Sequence, residues 1–562
     1  VSRRLALACA VLALASAARA AGPLLVNPSG VPFVWRPLPV PFNPDRGNLG
    51  TLSNATAVAH VAANFAVWTA VPTANLTVVN AGALPVDVTV ANYTAFLGVC
   101  GDGLSPIVFD TDGSITDDLL GNGARNEVLG FAGPECADVN SGTILEGSAV
   151  LNGRWIDGIN TSSNPEISVA DFDAVFVHEF GHYLDLDHSQ INLTEAFDTD
   201  PGNDDAVATM FPILINPTAM ATLALDDEVS ISTLYPAPSF ATNFGKITGN
   251  VFSPDGVSPF QGAYVVARKV GDPRLSAVGV ASGDRFTSIL GGSSDPSLEG
   301  LYEIPGLPPG SWTVEIEAID PSFTGGSSVG PLDPPASLPG PPEFWNGANE
   351  AATNPPDDPT QAVPLTITAG TTTSGINIIL NGVVCPPTPT SGCTMPIKAQ
   401  AAKLQMRNTS PDDHDTITWK WGFGPASTPA DFGNPLATTS YELCVYDEQG
   451  GVPMLVLSPG ATPDGTCAGR PCWRSTNSGF SYVNRDRTTN GLSKITLRAG
   501  STGKTRISLQ GKGSALGLGS LQFVQDPAVI VQMLDSDGGC WEADFSAPAH
   551  ENDAERFKDV SD

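Results

Sequence analysis

Apolar and polar positions along the chain follow two different periods. Val58, Val61, Phe65 and Trp68 recur at helical spacing after a polar Ser53-Asn54 start and before Pro72, which predicts a helix there. A second helix is predicted from about Ser168, where Ser168-x-x-Asp171 has the form of a capping box and sets an acid near the positive helix end. A third amphipathic stretch runs from Leu223 to Leu234 and stops at Tyr235-Pro236. Pro32 to Asn43 reads as extended, and Pro106–Asp110 and Thr143–Leu151 read as strands. Helix, strands, helix, helix is the order of an α+β domain, expected over 22–242.

From about 243 the helical period vanishes. Lys246–Phe252, Gly262–Ala267, Gly300–Ile304 and Trp312–Ile316 alternate apolar and polar positions, separated by turn clusters such as Gly306-Leu-Pro-Pro-Gly310. An antiparallel sandwich is expected over 243–382, with Ser327–Pro359 as a long surface insertion. A Pro/Thr linker (383–396) leads to a second, disulfide-containing sandwich (397–557) with strand-like runs at Thr416–Trp421, Tyr441–Tyr446 and Lys494–Arg498. Residues 558–562 are expected to fray as a tail. The run Leu301-Tyr-Glu-Ile-Pro-Gly-Leu-Pro-Pro-Gly310 resembles the carboxypeptidase regulatory-like, prealbumin-type module, which implies an accessory β role for 243–382.

Composition narrows the picture. Gly (58) and Pro (49) are abundant and charged residues make up only 15%, while hydrophobic residues hold at 41%, which argues against both disorder and coiled coil. The formal charge of −32 disfavours phosphate backbones and anionic lipid as partners, so no nucleic-acid partner is expected. Residues 1–20 read as a signal peptide: Arg3-Arg4, an apolar run from Leu5 to Ala17, and a small-x-small end at Ala18-Arg19-Ala20, cut after Ala20. A secreted protein is expected, and no later run is long enough to span a bilayer. Eight cysteines then remain, two in the first third and six after position 384, which predicts disulfides within domains and leaves their connectivity open.

Three of the six histidines fall within eleven residues: His178-Glu179-Phe-Gly-His182-Tyr-Leu-Asp-Leu-Asp-His188. Four residues of helix turn about 400°, so His178 and His182 share one face about 6 Å apart. Both imidazoles can reach one ion, with Glu179 beside it. A continuing helix would point His188 elsewhere, so the chain must break and reverse after Tyr183.

This segment resembles the HExxHxxGxxH signature of the metzincin zinc peptidases, in their matrixin branch. Asp185 stands where that family places glycine at a position needing φ > 0, and Asp is among the few residues that tolerate it. Ala208-Thr-Met210-Phe-Pro212 resembles the family's methionine turn beneath the metal, Leu214 stands where matrixins place a tyrosine, and Leu225–Tyr235 resembles the final helix. The resemblance covers about 32–236. It implies a multidomain architecture, an α+β metzincin-type catalytic domain followed by two all-β sandwich domains. It also implies a secreted zinc-dependent metalloendopeptidase: Zn²⁺ on His178, His182 and His188, Met210 as apolar floor, and Glu179 as general base for the metal-activated water that attacks a protein or peptide substrate. No cysteine lies between Ala20 and the first expected strand of the domain to act as a latency switch.

Two further expectations stand beside it. The alternative function is a non-catalytic secreted binding or adhesive protein, with structural zinc and β modules that bind an unidentified extracellular ligand. Asp110, Asp112 and Asp117 form a candidate calcium group through their carboxylates, although they lack the full EF-hand spacing.

Overall fold

A computed structural model of the protein describes residues 5–6, 22–25, 27, 31–161, 164–189, 191–198, 200–283, 298–317, 338–340, 343–350, 362–463, 465–468, 470–485, 487 and 491–562. Nearly all of the expected signal peptide, and most of the Pro-rich insertion at 327–359, lie outside them. The chain divides into two compact units, one of residues 1–251, 260–336 and 362–377, the other of residues 252–259, 337–361 and 378–562.

In the first unit β1 (Val34–Trp35), β2 (Val40–Pro44), β3 (Val78–Asn80), β4 (Pro106–Asp110), β5 (Gly130–Asp138) and β6 (Thr143–Asn152) build one mixed sheet in the order β5-β6-β4-β2-β3, with β1 beside β6. β5 and β6 pair antiparallel, as do residues 5–6 at the edge beside β5; β4 runs parallel to β6, β2 to β4 and β3 to β2. Parallel strands are buried on both faces and read as continuous apolar runs, as every residue of β4 is buried.

Helix α1 (Asn54–Thr69) starts at Ser53, whose Oγ accepts from the Thr56 N–H, and buries Val61, Phe65 and Trp68. That stripe meets α3 (Val169–Tyr183): Phe65 stacks on Phe180 with ring centroids 3.7 Å apart, and the Trp68 indole donates to the Val177 carbonyl at 2.9 Å. Short helices α2 (Ser114–Leu120), α4 (Leu193–Phe197) and α5 (Pro217–Met220) and the longer α6 (Leu225–Leu234) complete this part.

The same unit continues into two small sheets. One has the order β9 (Asp272–Ala281), β8 (Tyr264–Lys269), β11 (Gly310–Glu317), β12 (Leu365–Ile367); the other has β10 (Leu301–Leu307), β7 (Gly245–Phe252), β13 (Thr372–Ser374). Tyr264, Val266 and Ala277 of this module share an apolar cluster with Ala208, Phe211 and Met220.

In the second unit an eight-stranded sheet runs β18 (Trp473–Thr476), β19 (Gly479–Val483), β20 (Leu492–Arg498), β21 (Thr505–Lys512), β15 (Thr416–Gly424), β14 (Ala402–Arg407), β25 (Arg556–Val560), β24 (Glu551–Asn552). A smaller sheet has the order β17 (Val452–Leu457), β16 (Tyr441–Gln449), β22 (Ala528–Asp535), β23 (Cys540–Ser546). Period-2 alternation sends Leu404, Trp419 and Leu509 of the first and Val445, Val531 and Phe545 of the second into one core.

The expected fold class is therefore corrected. Strands hold 37% of the chain and helices 19%, so the protein is mostly β, spread over several sheets, rather than an α+β catalytic domain with two sandwiches appended. The helical stripes stand out in the sequence because they are long and periodic. The strands that outweigh them are short, and several are apolar throughout and carry no alternation.

Disulfides join Cys100 to Cys136 in the first unit, and Cys385 to Cys444, Cys393 to Cys540 and Cys467 to Cys472 in the second. These pairings fit an oxidising, extracellular-type compartment. No helix among the described residues is long and apolar enough to cross a membrane.

Candidate metal centre

Helix α3 supplies the first two histidines, and its start and stop are both written locally. Ser168 Oγ accepts from the Asp171 N–H at 3.0 Å and donates to the Asp171 carboxylate at 2.7 Å. At the other end Asp185 takes φ +75°. Its N–H donates to the His182 carbonyl and the Leu186 N–H to the Gly181 carbonyl, both at 2.9 Å. This is the left-handed stop that glycine usually provides and that Asp tolerates. The carbonyls left over in the last turn find donors in side chains: the Trp35 indole reaches Tyr183 O at 2.9 Å and the Tyr235 hydroxyl reaches Leu184 O at 3.1 Å.

The reversal is pinned from outside by the chain near residue 24. Leu24 N–H donates to Asp185 O at 2.6 Å, Leu25 N–H to Asp185 Oδ1 at 3.1 Å, and Asp187 N–H to Gly22 O at 2.9 Å. Held in this way, the loop carries His188 back to the helix.

The structure thus brings His178, His182 and His188 together. His182 Nε2 lies 3.1 Å from both His178 Nε2 and His188 Nε2. Behind the rings, His178 Nδ1 sits 2.8 Å from Thr209 O and His182 Nδ1 2.7 Å from Leu186 O. A carbonyl can only accept, so in both rings Nδ1 carries the proton and Nε2 presents a lone pair to the centre. Burial first, then the neighbouring imidazoles, hold His182 and His188 neutral, His182 down to about 3 and His188 well below the ordinary range; burial also lowers His178. Converging lone pairs at this range repel unless a cation lies among them.

The donor set fits zinc. Bonds of about 2.0–2.1 Å to imidazole nitrogen in a tetrahedral site put neighbouring nitrogens about 3.3 Å apart, close to the separations seen here. No other group of three or more potential ligands is found among the described residues, apart from Cys100, Cys136 and Glu146, whose cysteines are disulfide-bonded.

Met210 is fully buried beneath α3. A Cβ on Gly181 would overlap its Sδ and come within 2.9 Å of Trp68 Cζ2, so only glycine lets the methionine and the helix approach this closely. Asp227, at the start of α6, fixes the turn: its carboxylate accepts from Thr209 N–H at 2.9 Å, Met210 N–H at 3.0 Å and Ala224 N–H at 2.9 Å. Its neighbour Asp226 accepts from Ser189 Oγ at 2.7 Å and from Gly279 N–H at 2.9 Å, which links the residue after His188 to β9. Sequence reasoning placed Asp226 and Asp227 in the final helix and gave them no role. Their signal was an adjacent pair of acids in a first helical turn, which solvated helix starts share.

Glu179 is buried against Gly130, where an added Cβ would lie 2.9 Å from Glu179 Cγ. Burial pushes its carboxyl up to about 8, and Oε2 has no hydrogen-bond partner among the described residues.

The candidate calcium residues are not brought into one group. Asp110 is buried and accepts from Ile115 N–H, Thr116 N–H and Thr116 Oγ1, capping α2. Asp117 accepts from Gly123 and Arg125 N–H and pairs with the Arg125 guanidinium at 2.8 Å, while Asp112 accepts from Ser114 N–H. Each carboxylate is engaged by its own loop.

No protein-family model matches the chain. No curated protein matches it either. Among solved structures it is similar to a candidate carbohydrate-binding protein from Bacteroides uniformis (7% identity, 56% of this chain and 96% of that one, TM-score 0.16). It is also similar to the major pilin SpaD of Corynebacterium diphtheriae (8% identity, 54% and 65%, TM-score 0.16) and to a candidate adhesin from Bacteroides ovatus (9% identity, 53% and 82%, TM-score 0.14). Likenesses this distant transfer no ligand.

With no family model and no curated protein matching the chain, the resemblance to matrixin-type metzincins is corrected, and so is the resemblance of the β module to a carboxypeptidase regulatory-like domain. The expectation of a zinc endopeptidase with Glu179 as general base falls with it. It rested on the histidine motif, the methionine turn and the final helix, and these define a ligand set and its support rather than a reaction.

Proposed function

We propose that the protein is an exported, non-catalytic binding or adhesive protein, in which a zinc ion on His178, His182 and His188 is structural and the β modules provide recognition. The observation that carries the metal is the convergence of three Nε2 atoms, with two of the rings oriented from behind by backbone carbonyls. When bound, zinc supplies the positive charge that three facing lone pairs require. The chain's own residues do the rest. Thr209 O and Leu186 O fix tautomer and ring orientation. Asp227 holds the turn that presents Thr209, and Asp226 joins the loop after His188 to β9. A metal there would clamp α3, the reversed loop and, through that loop, the β module into one piece. The four disulfides support an extracellular setting, and strand-rich modules support recognition as the work of the chain.

The test is metal content of the full chain after dialysis, followed by thermal unfolding with and without chelator. About one zinc per chain is expected. Stripping it should lower the melting temperature, since a ligand held at a thousandfold above its Kd contributes about 4 kcal/mol. His188→Ala should lose the metal, and full retention would reject the three-histidine set. Zinc-dependent cleavage of a denatured protein that disappears in Glu179→Ala would overturn the non-catalytic reading.

A further inference from the structure

We propose that the outward face of the eight-stranded sheet in the second unit docks an extended acidic polysaccharide, one carrying carboxylate or sulfate groups along its length. The inference rests on the reading of the chain as a binding protein and is independent of the metal.

The chain carries 59 acidic residues against 27 basic ones, yet this face is basic. In β14, β15, β20 and β21 the inward positions are the apolar core, and the alternate outward positions carry cations. Like charges stand directly opposite each other at three places in the ladder: Lys403 faces Lys420, Arg498 faces Arg506, and Arg407 faces Arg556. Lys494, Lys512 and Arg474 lie on the same face and are exposed. A cross-strand pair of like charges destabilises a sheet, and such conflicts between local rules and fold concentrate at functional surfaces. Glu551 offsets one of them, at 4.0 Å from Arg556. Lys403, Lys420, Arg498 and Arg506 have no ion-pair partner among the described residues.

The dimensions suit a long ligand. Strands about 4.8 Å apart place Arg474 and Arg556, six strand steps from each other, roughly 29 Å apart. The overall negative charge of the chain does not cancel this face, because charges beyond about 8 Å are screened at physiological salt.

What lies between the cations selects the partner. Thr416, Thr418, Ser508, Thr496, Gln405 and Gln510 occupy the intervening outward positions, short hydroxyls and amides that can donate to and accept from sugar hydroxyls. Sequence-tolerant binding of single-stranded nucleic acid uses rows of exposed rings. Here the one exposed aromatic side chain among the described residues of this unit is Phe423, at the end of the face, covered by the Lys398 ammonium at 4.9 Å and the Arg506 guanidinium at 5.5 Å. Eight strands about 4.8 Å apart are also wider than the major groove of a duplex, about 12 Å, which admits a two-stranded ribbon.

The experiment uses the full chain and measures binding to alginate, a polyuronate, beside neutral dextran, a DNA oligonucleotide and phosphatidylserine vesicles, at low and at physiological salt. Alginate should bind, dextran should not, and affinity should fall with salt. The triple variant Lys420→Glu, Arg498→Glu, Arg506→Glu should lower alginate affinity at least tenfold with metal content unchanged, while Lys246→Glu in the first unit should leave it as it was. If the triple variant misfolds, the neutralising pair Lys403→Gln, Lys420→Gln should still weaken binding several-fold. Absence of alginate binding, an affinity unaffected by these variants, or tighter binding to DNA or vesicles would overturn the proposal. The metal count reads the histidine centre separately, so failure of one reading is visible without the other.

Discussion

The two units solve the problem of a core differently. In the second, side chains from two sheets meet in one large apolar cluster that includes Trp419, Trp421, Val531 and Phe545, with a small satellite around Tyr446 and Leu534. In the first, the apolar material is divided. One cluster lies around Phe65, Phe180 and Trp35, another around Phe211, Met220 and Tyr264, and a third around Leu84, Val108 and Ile115. Buried polar groups, among them His182, His188, Asp226, Asp227 and Glu135, belong to none of these clusters. The stability of both units should follow apolar area and protons, since burial also pushes up the Asp535 and Asp544 carboxyls of the second, while that of the first should follow a metal as well.

The largest effect is expected in the unit with the continuous core. Phe545→Ala should cost the second unit about 3–5 kcal/mol through the cavity it leaves. Urea unfolding should show the same loss at acid and neutral pH and with or without chelator; a chelator-sensitive loss would erase the contrast between the units. In the first unit Asp227→Ala leaves the N–H groups of Thr209, Met210 and Ala224 without their acceptor. A loss of about 2–4 kcal/mol is expected, together with weaker zinc retention. Asp227→Asn, which keeps one carbonyl oxygen, should lose less of both.

The smallest effect concerns pH. Burial pushes the Glu135 carboxyl up from its ordinary range to about 8, with Asp102 and Glu146 adding to the rise and the Gly98 N–H opposing it. Because the folded value lies above the unfolded one, this group's contribution to stability is complete below about pH 4.5 and is lost as pH climbs through 8. Glu135→Gln should flatten the pH dependence of the first unit's melting temperature over that window and leave the second unit's unchanged.

Much of the local structure was legible because its causes are local. The stripe of Val61, Phe65 and Trp68, the cap at Ser168 and the stop at Asp185 each need only a few neighbouring residues to act, and the structure shows a helix or a turn at each. The separation of cysteines into an early pair and a late group of six likewise foreshadowed pairing within each region. What depends on distant partners was not legible. Asp110, Asp112 and Asp117 look like oxygen ligands until their own backbone is seen to use them. Asp226 and Asp227 look like ordinary helix starts until the methionine turn and β9 come to rest on them. Net charge is a coarse guide in a similar way, since a sum over 562 residues hides the alternation that gathers cations on one side of one sheet. The family assignment failed for a related reason: a histidine cluster, a methionine turn and one helix can specify a site without specifying the fold that carries it.

The three contacts that join residues 22–25 to the loop at 185–187 place His188 within reach of events about 160 residues earlier in the chain. Cleavage just after residue 25 would release that loop while leaving every helix described above unbroken. Protease resistance near residue 22 and the seating of His188 are therefore bound to the same few peptide groups.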